Sequence, residues 1–252
     1  QSIGAIAVAP SAPATVYVGS GEGLHRPDLS VGNGVYRSDD AGAHWRYLGL
    51  PDAQQIPEIA IDPRTPDTVY AAVLGHPFGP SEARGIYRSR DGGKHWDLVL
   101  KKDAHTGGNG VVIDPEHPET VYATLWEDRL GPWEDGNEYR GTGGGLYRSD
   151  DGGDHWQRLG QDFPANTTQI NVAVAPSLPQ RLYAMVATTD PGDYNSSAGL
   201  GLWRSDDGGR HFARATEDPR AVLRIGGGDH AIVRVDPKDP DSVYTASIVA
   251  MQ

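Results

Sequence analysis

Carboxylates that could cleave a glycosidic bond are concentrated in two parts of this 252-residue chain, residues 22–28 and 127–134. Such cleavage needs two carboxyl groups across a cleft, about 5 Å apart for retention of configuration or about 6.5–9.5 Å apart for inversion. Acids from the two parts would meet these distances only if the fold brings the parts together. The candidate catalytic residues are Glu22, Asp28, Glu127, Asp128 and Glu134.

Aromatic and basic side chains in and near the same parts suit ligand binding. A tryptophan ring can stack on the apolar C–H face of a sugar while nearby acids accept hydrogen bonds from its hydroxyl groups. A simpler interpretation is that the tryptophans pin a long loop to its neighbour. The candidate ligand-binding residues are Trp126, Trp133, Arg129, Tyr139, His25, Arg26 and His76.

Four loop histidines could act as metal ligands or as a general base if they converge near one axis. Each of them is better explained as an ordinary loop histidine, so we expect no metal site and no cofactor. These histidines are His25, His76, His105 and His230.

The composition of the chain makes some classes of binding partner less suitable. The chain has 34 acidic and 22 basic residues, a formal net charge of −12. This balance disfavours nucleic acid, because Lys and Arg on phosphates supply most non-specific affinity. No apolar run approaches the roughly 20 residues that a membrane-spanning helix needs. Cysteine is absent, which excludes disulfides, thiolate metal sites and cysteine catalysis.

The elements that must position the candidate residues are defined by repeats. The pattern Ser-x-Asp-x-Gly-x-His-(Trp/Phe), called the box below, occurs four times, each after a Gly-(apolar)-(Tyr/Trp)-Arg lead-in. We expect its Asp to accept backbone hydrogen bonds, its Gly to take a positive φ and its aromatic residue to pack between repeats. The boxes contain Ser38, Asp40, Gly42, Trp45; Ser89, Asp91, Gly93, Trp96; Ser149, Asp151, Gly153, Trp156; and Ser205, Asp207, Gly209, Phe212.

A second repeated phrase, an apolar run that ends in proline, occurs five times, and the first four copies each precede a box. Its prolines are Pro10, Pro63, Pro115, Pro176 and Pro237. The prolines and the box aspartates recur with a period near 50, and such a period with four strand-like runs is typical of β-propeller blades. The apolar run is then the innermost strand A, and a Tyr-containing run is strand B. The lead-in is strand C, and strand D begins at the box aromatic residue, which places the box at the C–D turn.

The sequence therefore predicts an all-β fold, a β-propeller of four-stranded antiparallel blades. Propellers close into rings of typically 4–8 blades, which removes the sheet edges. We therefore expect the remainder of the ring to lie outside this chain. Residues 1–252 are predicted to form one partial propeller domain, with blades at about 3–50, 56–100, 108–160 and 169–215 and an incomplete unit at 230–252.

The boxes resemble the Asp-box, or BNR repeat, of sialidases, xyloglucanase-type glycoside hydrolases and sortilin-type receptors. The stretches at 21–28 and 74–80 are most similar to exported bacterial proteins described as sortilin-like or glycosyl-hydrolase-like BNR repeat proteins. The resemblance implies export to the periplasm, cell surface or medium, and a binding face opposite the boxes. The early Arg-Ile-Pro motif of sialidases is absent. The Arg-Thr-Asp-Val-Gly-Gly motif of xyloglucanase-type enzymes is absent too, and residues 18–23 stand at the equivalent strand end.

These observations leave more than one function open. The first interpretation is a non-catalytic propeller that binds a peptide, protein or glycan on the face formed by the B–C and D–A connections, where the repeats differ. The alternative is a glycoside hydrolase, xyloglucanase-like or sialidase-like, that uses paired carboxylates on that face. A scaffold subunit is a third possibility, for which a large apolar patch would be the sign.

Overall fold

The computed structural model describes residues 2–23, 29–131, 138–189, 199–218 and 232–246. Within these ranges the regular structure is β apart from one 3₁₀ turn, Pro51–Ala53, and no helix is long and apolar enough to cross a membrane. Four antiparallel sheets have four strands each, and neighbouring strands follow chain order. They confirm the predicted fold class.

The first two sheets are short-stranded. The first contains β1 (Ile3–Val8), β2 (Val16–Ser20), β3 (Val35–Ser38) and β4 (Arg46–Tyr47). The second contains β5 (Glu58–Ile61), β6 (Val69–Val73), β7 (Gly85–Ser89) and β8 (Asp97–Leu100).

The third and fourth sheets have longer inner strands, and a two-stranded sheet follows them. The third contains β9 (Thr106–Ile113), β10 (Val121–Arg129), β11 (Glu138–Ser149) and β12 (Gln157–Leu159). The fourth contains β13 (Thr167–Val174), β14 (Leu182–Thr188), β15 (Gly199–Ser205) and β16 (Ala213–Arg214). The last sheet pairs β17 (Ile232–Val235) with β18 (Val243–Ala246).

Four apolar cores hold consecutive sheets face to face. The core between the first and second sheets contains Tyr17, Val35, Ile59 and Ile61. Equivalent cores lie at the next three junctions. Because the second, third and fourth sheets each have a neighbour on both faces, their inner strands read as almost continuous apolar runs. These junctions give the radial arrangement of propeller blades.

A tyrosine on the second strand of each of the four complete sheets ties that sheet to the next. Its hydroxyl donates to a backbone carbonyl of the following unit. The pairs are Tyr17 to Pro66 (3.0 Å), Tyr70 to Gly152 (2.8 Å), Tyr122 to Gly208 (3.3 Å) and Tyr183 to Pro240 (3.1 Å). A lead-in arginine reinforces the contact: Arg88 and Arg148 donate to the same Gly152 and Gly208 carbonyls. We call this arrangement the junction clamp.

Each box closes its own turn between the third and fourth strands. In the third sheet, the Ser149 hydroxyl donates to Asp151 (2.8 Å) and accepts from the Gly153 N–H (2.8 Å). Asp151 Oδ1 accepts from the His155 N–H, and its Oδ2 lies 2.6 Å from His155 Nδ1. Gly153 has φ +91°, which glycine adopts without strain. The same bonds recur in the other three boxes.

The box aromatic residues pack toward the preceding sheet, as Trp96 and Trp156 show. The expectation that every one of them packs into a junction between sheets is wrong for Trp45. It belongs to the first sheet and is 46% exposed.

The two ends of the sheets differ in character. Each box lies against the turn between the first two strands of its own unit; for example, the Gly92 N–H donates to Asp67 O (2.9 Å). The long connections lie at the other end, where neighbouring units touch: the Gly32 N–H donates to Gln54 O and the Ser81 N–H to Ala104 O (2.8 Å). We call these the box face and the loop face.

Candidate functional site

Polar side chains surround the space enclosed by the innermost strands. These strands, β1, β5, β9, β13 and β17, contact one another in order. Glu58 is the first residue of β5, directly after a connection on the loop face. Its Oε1 lies 3.9 Å from Arg234 Nη2 on β17, which is not adjacent to β5 in that order. The pair therefore spans the enclosed space at its loop-face end.

The carboxyl of Glu58 is held by two other units besides its own. Its Oε2 accepts from the Val111 N–H of the third sheet (3.1 Å). A Cβ added at Gly110 would lie 2.9 Å from the same oxygen, so glycine leaves room for the carboxyl. Burial raises the pKa of Glu58, and Arg234 and the Val111 N–H only partly offset that rise. About a third of the side chain remains accessible, so this is a carboxyl with a raised pKa that a ligand can reach.

A fixed carboxamide lies on the fourth sheet at the register position equivalent to Glu58. Asn171 Oδ1 accepts from Asn109 Nδ2 (3.2 Å), and Asn171 Nδ2 donates to Gln169 Oε1 (3.2 Å). Asn109 and Gln169 are almost fully buried. They orient Asn171, which is half-buried. We call Glu58, Asn109, Gln169, Asn171 and Arg234 the axial cluster.

Glu127 lies farther out, on the extended hairpin of β10 and β11. It is half-buried and pairs in register with Gly141. Its Oε2 accepts from the Gly143 N–H (2.6 Å), and the Gly143 carbonyl accepts from Lys102 Nζ. The first connection holds Glu22, whose Oε1 accepts from the Ser2 hydroxyl (2.9 Å). Both acids therefore lie on the loop face.

Two candidates from the same hairpin are structural. Trp126 is fully buried, stacks on Tyr139 (ring centroids 6.1 Å apart) and donates to the Tyr139 carbonyl. It offers no ring face to a sugar and pins the hairpin instead. Asp128 has a side chain with 0% exposure, and its Oδ1 lies 3.1 Å from Arg84 Nη1. The expectation that Asp128 is catalytic is therefore wrong on grounds of access.

The other candidates are dispersed over the loop face or undescribed. Arg129 is exposed at the end of β10. His76 Nδ1 lies 3.2 Å from Gln54 Oε1, and the His105 N–H donates to Asp103. Among the described residues, no three His, Asp or Glu side chains are grouped to hold a metal ion. His25, Arg26, Asp28, Trp133, Glu134 and His230 lie outside the described ranges.

The differences between repeats predicted function in the connections, whereas the axial cluster lies on the innermost strands. The residues paired in register with the second strand at this level are Ala5, Glu58, Gly110, Asn171 and Ile232. A comparison of the repeats position by position would have shown a carboxylate and a carboxamide where the other units have Ala, Gly or Ile.

Comparison with known proteins supports the fold and identifies enzymes that the chain resembles. No protein-family model matches the sequence. A xyloglucanase of Paenibacillus sp is 26% identical over 206 residues, which are 78% of this chain and 17% of that protein. The chain spans less than a fifth of the length of the curated relatives it matches.

Solved structures cover nearly all of the chain. The GH74 xyloglucanase of Xanthomonas campestris is 20% identical with a TM-score of 0.66, over 98% of this chain and 35% of that one. An α-L-arabinofuranosidase of Fusarium graminearum is 14% identical with a TM-score of 0.53, over 97% of this chain and 74% of that one. With these neighbours, the sheets described above are those of a β-propeller.

Proposed function

We propose that this chain is part of an exported glycoside hydrolase that binds and cleaves a β-glucan such as xyloglucan on its loop face. The observation that carries the proposal is the reachable carboxyl of Glu58 in the axial cluster of a fold shared with xyloglucanases. The sequence likeness to curated xyloglucanases supports the choice of substrate. Among the interpretations left open by the sequence, the comparisons favour the hydrolase over a propeller that only binds.

Glu58 is suited to donate a proton. A general acid works best when its pKa is near the working pH, and glycosidases raise the pKa of one carboxyl for this purpose. Burial raises the pKa of Glu58 in this direction. In the proposed step, Glu58 gives its proton to the glycosidic oxygen as the C–O bond breaks, and the leaving sugar departs as an alcohol. A water molecule activated by the second carboxylate, or that carboxylate itself followed by water, forms the new bond to the anomeric carbon. The second carboxyl would come from the remaining candidates, Glu22, Glu127, Asp28 or Glu134.

Arg234 and Asn171 would bind the substrate beside this acid. A guanidinium donates and a carboxamide both donates and accepts, which matches the mixed demands of sugar hydroxyls. Asn171 is already oriented by its two neighbours. Its amide would lose little side-chain entropy on binding.

The test is release of reducing ends from xyloglucan by the purified protein. Glu58→Gln keeps the shape of the side chain but removes the proton, so kcat should fall about 10²–10⁴-fold. Glu119→Gln is the matched control, since Glu119 is exposed beside a box on the opposite face. An unchanged rate for Glu58→Gln would refute the acid role. Failure to bind or cleave any β-glucan would refute the whole proposal.

The pH profile gives a second readout for Glu58. An acid that must be protonated loses activity as the pH rises through its pKa. Because the pKa of Glu58 is raised, the alkaline limb should lie above the ordinary range of a glutamate. Arg234→Ala removes the nearby cation and should move that limb to still higher pH.

A further inference from the structure

A second concave site lies on the loop face between the third and fourth sheets. It is a half-enclosed cavity of about 360 Å³, within the usual range of about 300–1,000 Å³ for ligand sites. We call it the rim groove. It is separate from the axial cluster, because the middle of β11, the end of β12 and the connection at 160–166 form most of its wall. Its lining includes Thr142, Leu146, Arg158, Phe163, Thr167 and Ile170.

The apolar part of the rim groove is rigid. Leu146 and Ile170 belong to the core between the two sheets and are fully buried. The ring of Phe163 lies 4.7 Å from Phe212 and 5.5 Å from Trp203, measured between ring centroids. Since these partners fix the ring, Phe163 provides a flat wall of defined orientation.

The polar part of the rim groove consists of hydrogen-bonding groups, one of which is charged. Arg158 is the one ionised side chain in the described lining, and its Nη2 donates to the Gly144 carbonyl (3.1 Å). That bond holds the guanidinium against β11, which forms part of the groove wall. The Thr167 hydroxyl donates its proton to Pro164 O (2.7 Å), so its lone pairs can accept. Thr142 and Gln161 add a hydroxyl and an amide.

We infer that the rim groove binds a single neutral sugar ring of the glycan. The half-buried ring of Phe163 suits the C–H face of a pyranose, while a guanidinium and hydroxyls suit its rim of hydroxyl groups. The groove lies directly beside the hairpin that carries Glu127, because Thr142 and Gly144 flank Gly143. A glycan bound across the loop face would therefore place one sugar in it.

The inference rests on the proposed function for its choice of probe, a xyloglucan oligosaccharide. Calorimetric titration should show Kd raised about tenfold in Arg158→Ala, the factor that one hydrogen bond to a charged group contributes. Ala165→Trp places a bulky ring at the exposed mouth of the groove and should weaken binding at least as much.

Arg214→Ala is the matched control. Arg214 occupies the same register on the outer strand of the fourth sheet as Arg158 on the third, since each pairs with the aromatic residue of its lead-in. The Kd of the Arg214→Ala variant for the oligosaccharide should stay within about twofold of the wild-type value, a change of about 0.4 kcal/mol. Thermal unfolding of each variant checks that the fold is retained.

The outcomes separate this inference from the proposed function. Binding that depends on Arg158 without any cleavage supports the rim groove and overturns the hydrolase. Cleavage that depends on Glu58, with wild-type affinity in both groove variants, supports the hydrolase and overturns the rim groove. No binding of the oligosaccharide, tighter binding of a uronic acid than of a neutral sugar, or equal losses in Arg158→Ala and Arg214→Ala would overturn the rim groove.

Discussion

Replacement of Asp128 by Asn should damage stability rather than chemistry. The Asp128 and Arg84 side chains are 0% and 1% exposed, and Arg84 also donates to the His76 and Gly79 carbonyls (3.0 and 3.4 Å). The pair thereby joins the second and third sheets at the loop face. Removal of the Asp128 charge leaves the buried Arg84 cation with neutral carbonyl partners and no counter-charge in the pair, which costs about 3–5 kcal/mol. For a chain of this size, that corresponds to a fall in Tm of about 10 °C.

Urea unfolding followed by tryptophan fluorescence measures this loss. Glu82→Gln is the control, because Glu82 forms an exposed ion pair with Lys101 and should change stability by less than about 1 kcal/mol. Replacement of both partners by apolar residues, Arg84→Met with Asp128→Leu, should recover most of the loss, since no charge is then left buried. A structural role for Asp128 is refuted if Asp128→Asn unfolds like the wild type yet no longer cleaves the glycan.

Three further perturbations test other parts of the structure. Gly110→Ala would place a Cβ 2.8–2.9 Å from side-chain oxygens and should cost about 1–3 kcal/mol by urea unfolding, whereas Gly79→Ala meets nothing nearer than 3.9 Å and should be neutral. Tyr70→Phe removes the 2.8 Å clamp bond to Gly152 and should cost about 1 kcal/mol in the same assay. Backbone and imidazole hydrogen bonds lower the pKa of Asp40 to about 2, so its stabilisation is present above pH 4 and lost as the pH falls toward 2; Asp40→Asn should flatten that part of an acid unfolding curve.

The fold was predictable because the repeated motifs mark where the strands and turns of each unit lie. One box in each complete unit, with an apolar run before it, predicted the strand order and the position of the turn. The rings of Trp96 and Trp156 pack as that pattern predicts, while Trp45 does not because it faces away from the second sheet. The predicted domain bounds stay a prediction.

The site was less predictable because the composition of a segment does not show which of its side chains the fold buries. Residues 126–144 read as a loop rich in acids and aromatic residues, but pairing continues along β10 and β11 to Arg129 and Glu138. That pairing buries Trp126 and Asp128. Conversely, Glu58 directly precedes the apolar run at Ile59, and nothing in the sequence pattern singled it out. Its proximity to Arg234, which lies on β17 in the last described sheet, arises only because the innermost strands surround one space.

The junction clamp has a consequence for how such a chain can change over evolutionary time. Every clamp tyrosine donates to a main-chain carbonyl, in Pro66, Gly152, Gly208 and Pro240. A main-chain acceptor is present whatever side chain its residue carries. Duplication or loss of a whole unit therefore leaves each new junction with an acceptor, and no compensating substitution is required for it. As far as this bond is concerned, the number of units and the chemistry of the loop face can diverge separately, since a clamp tyrosine needs only a main-chain carbonyl of the following unit.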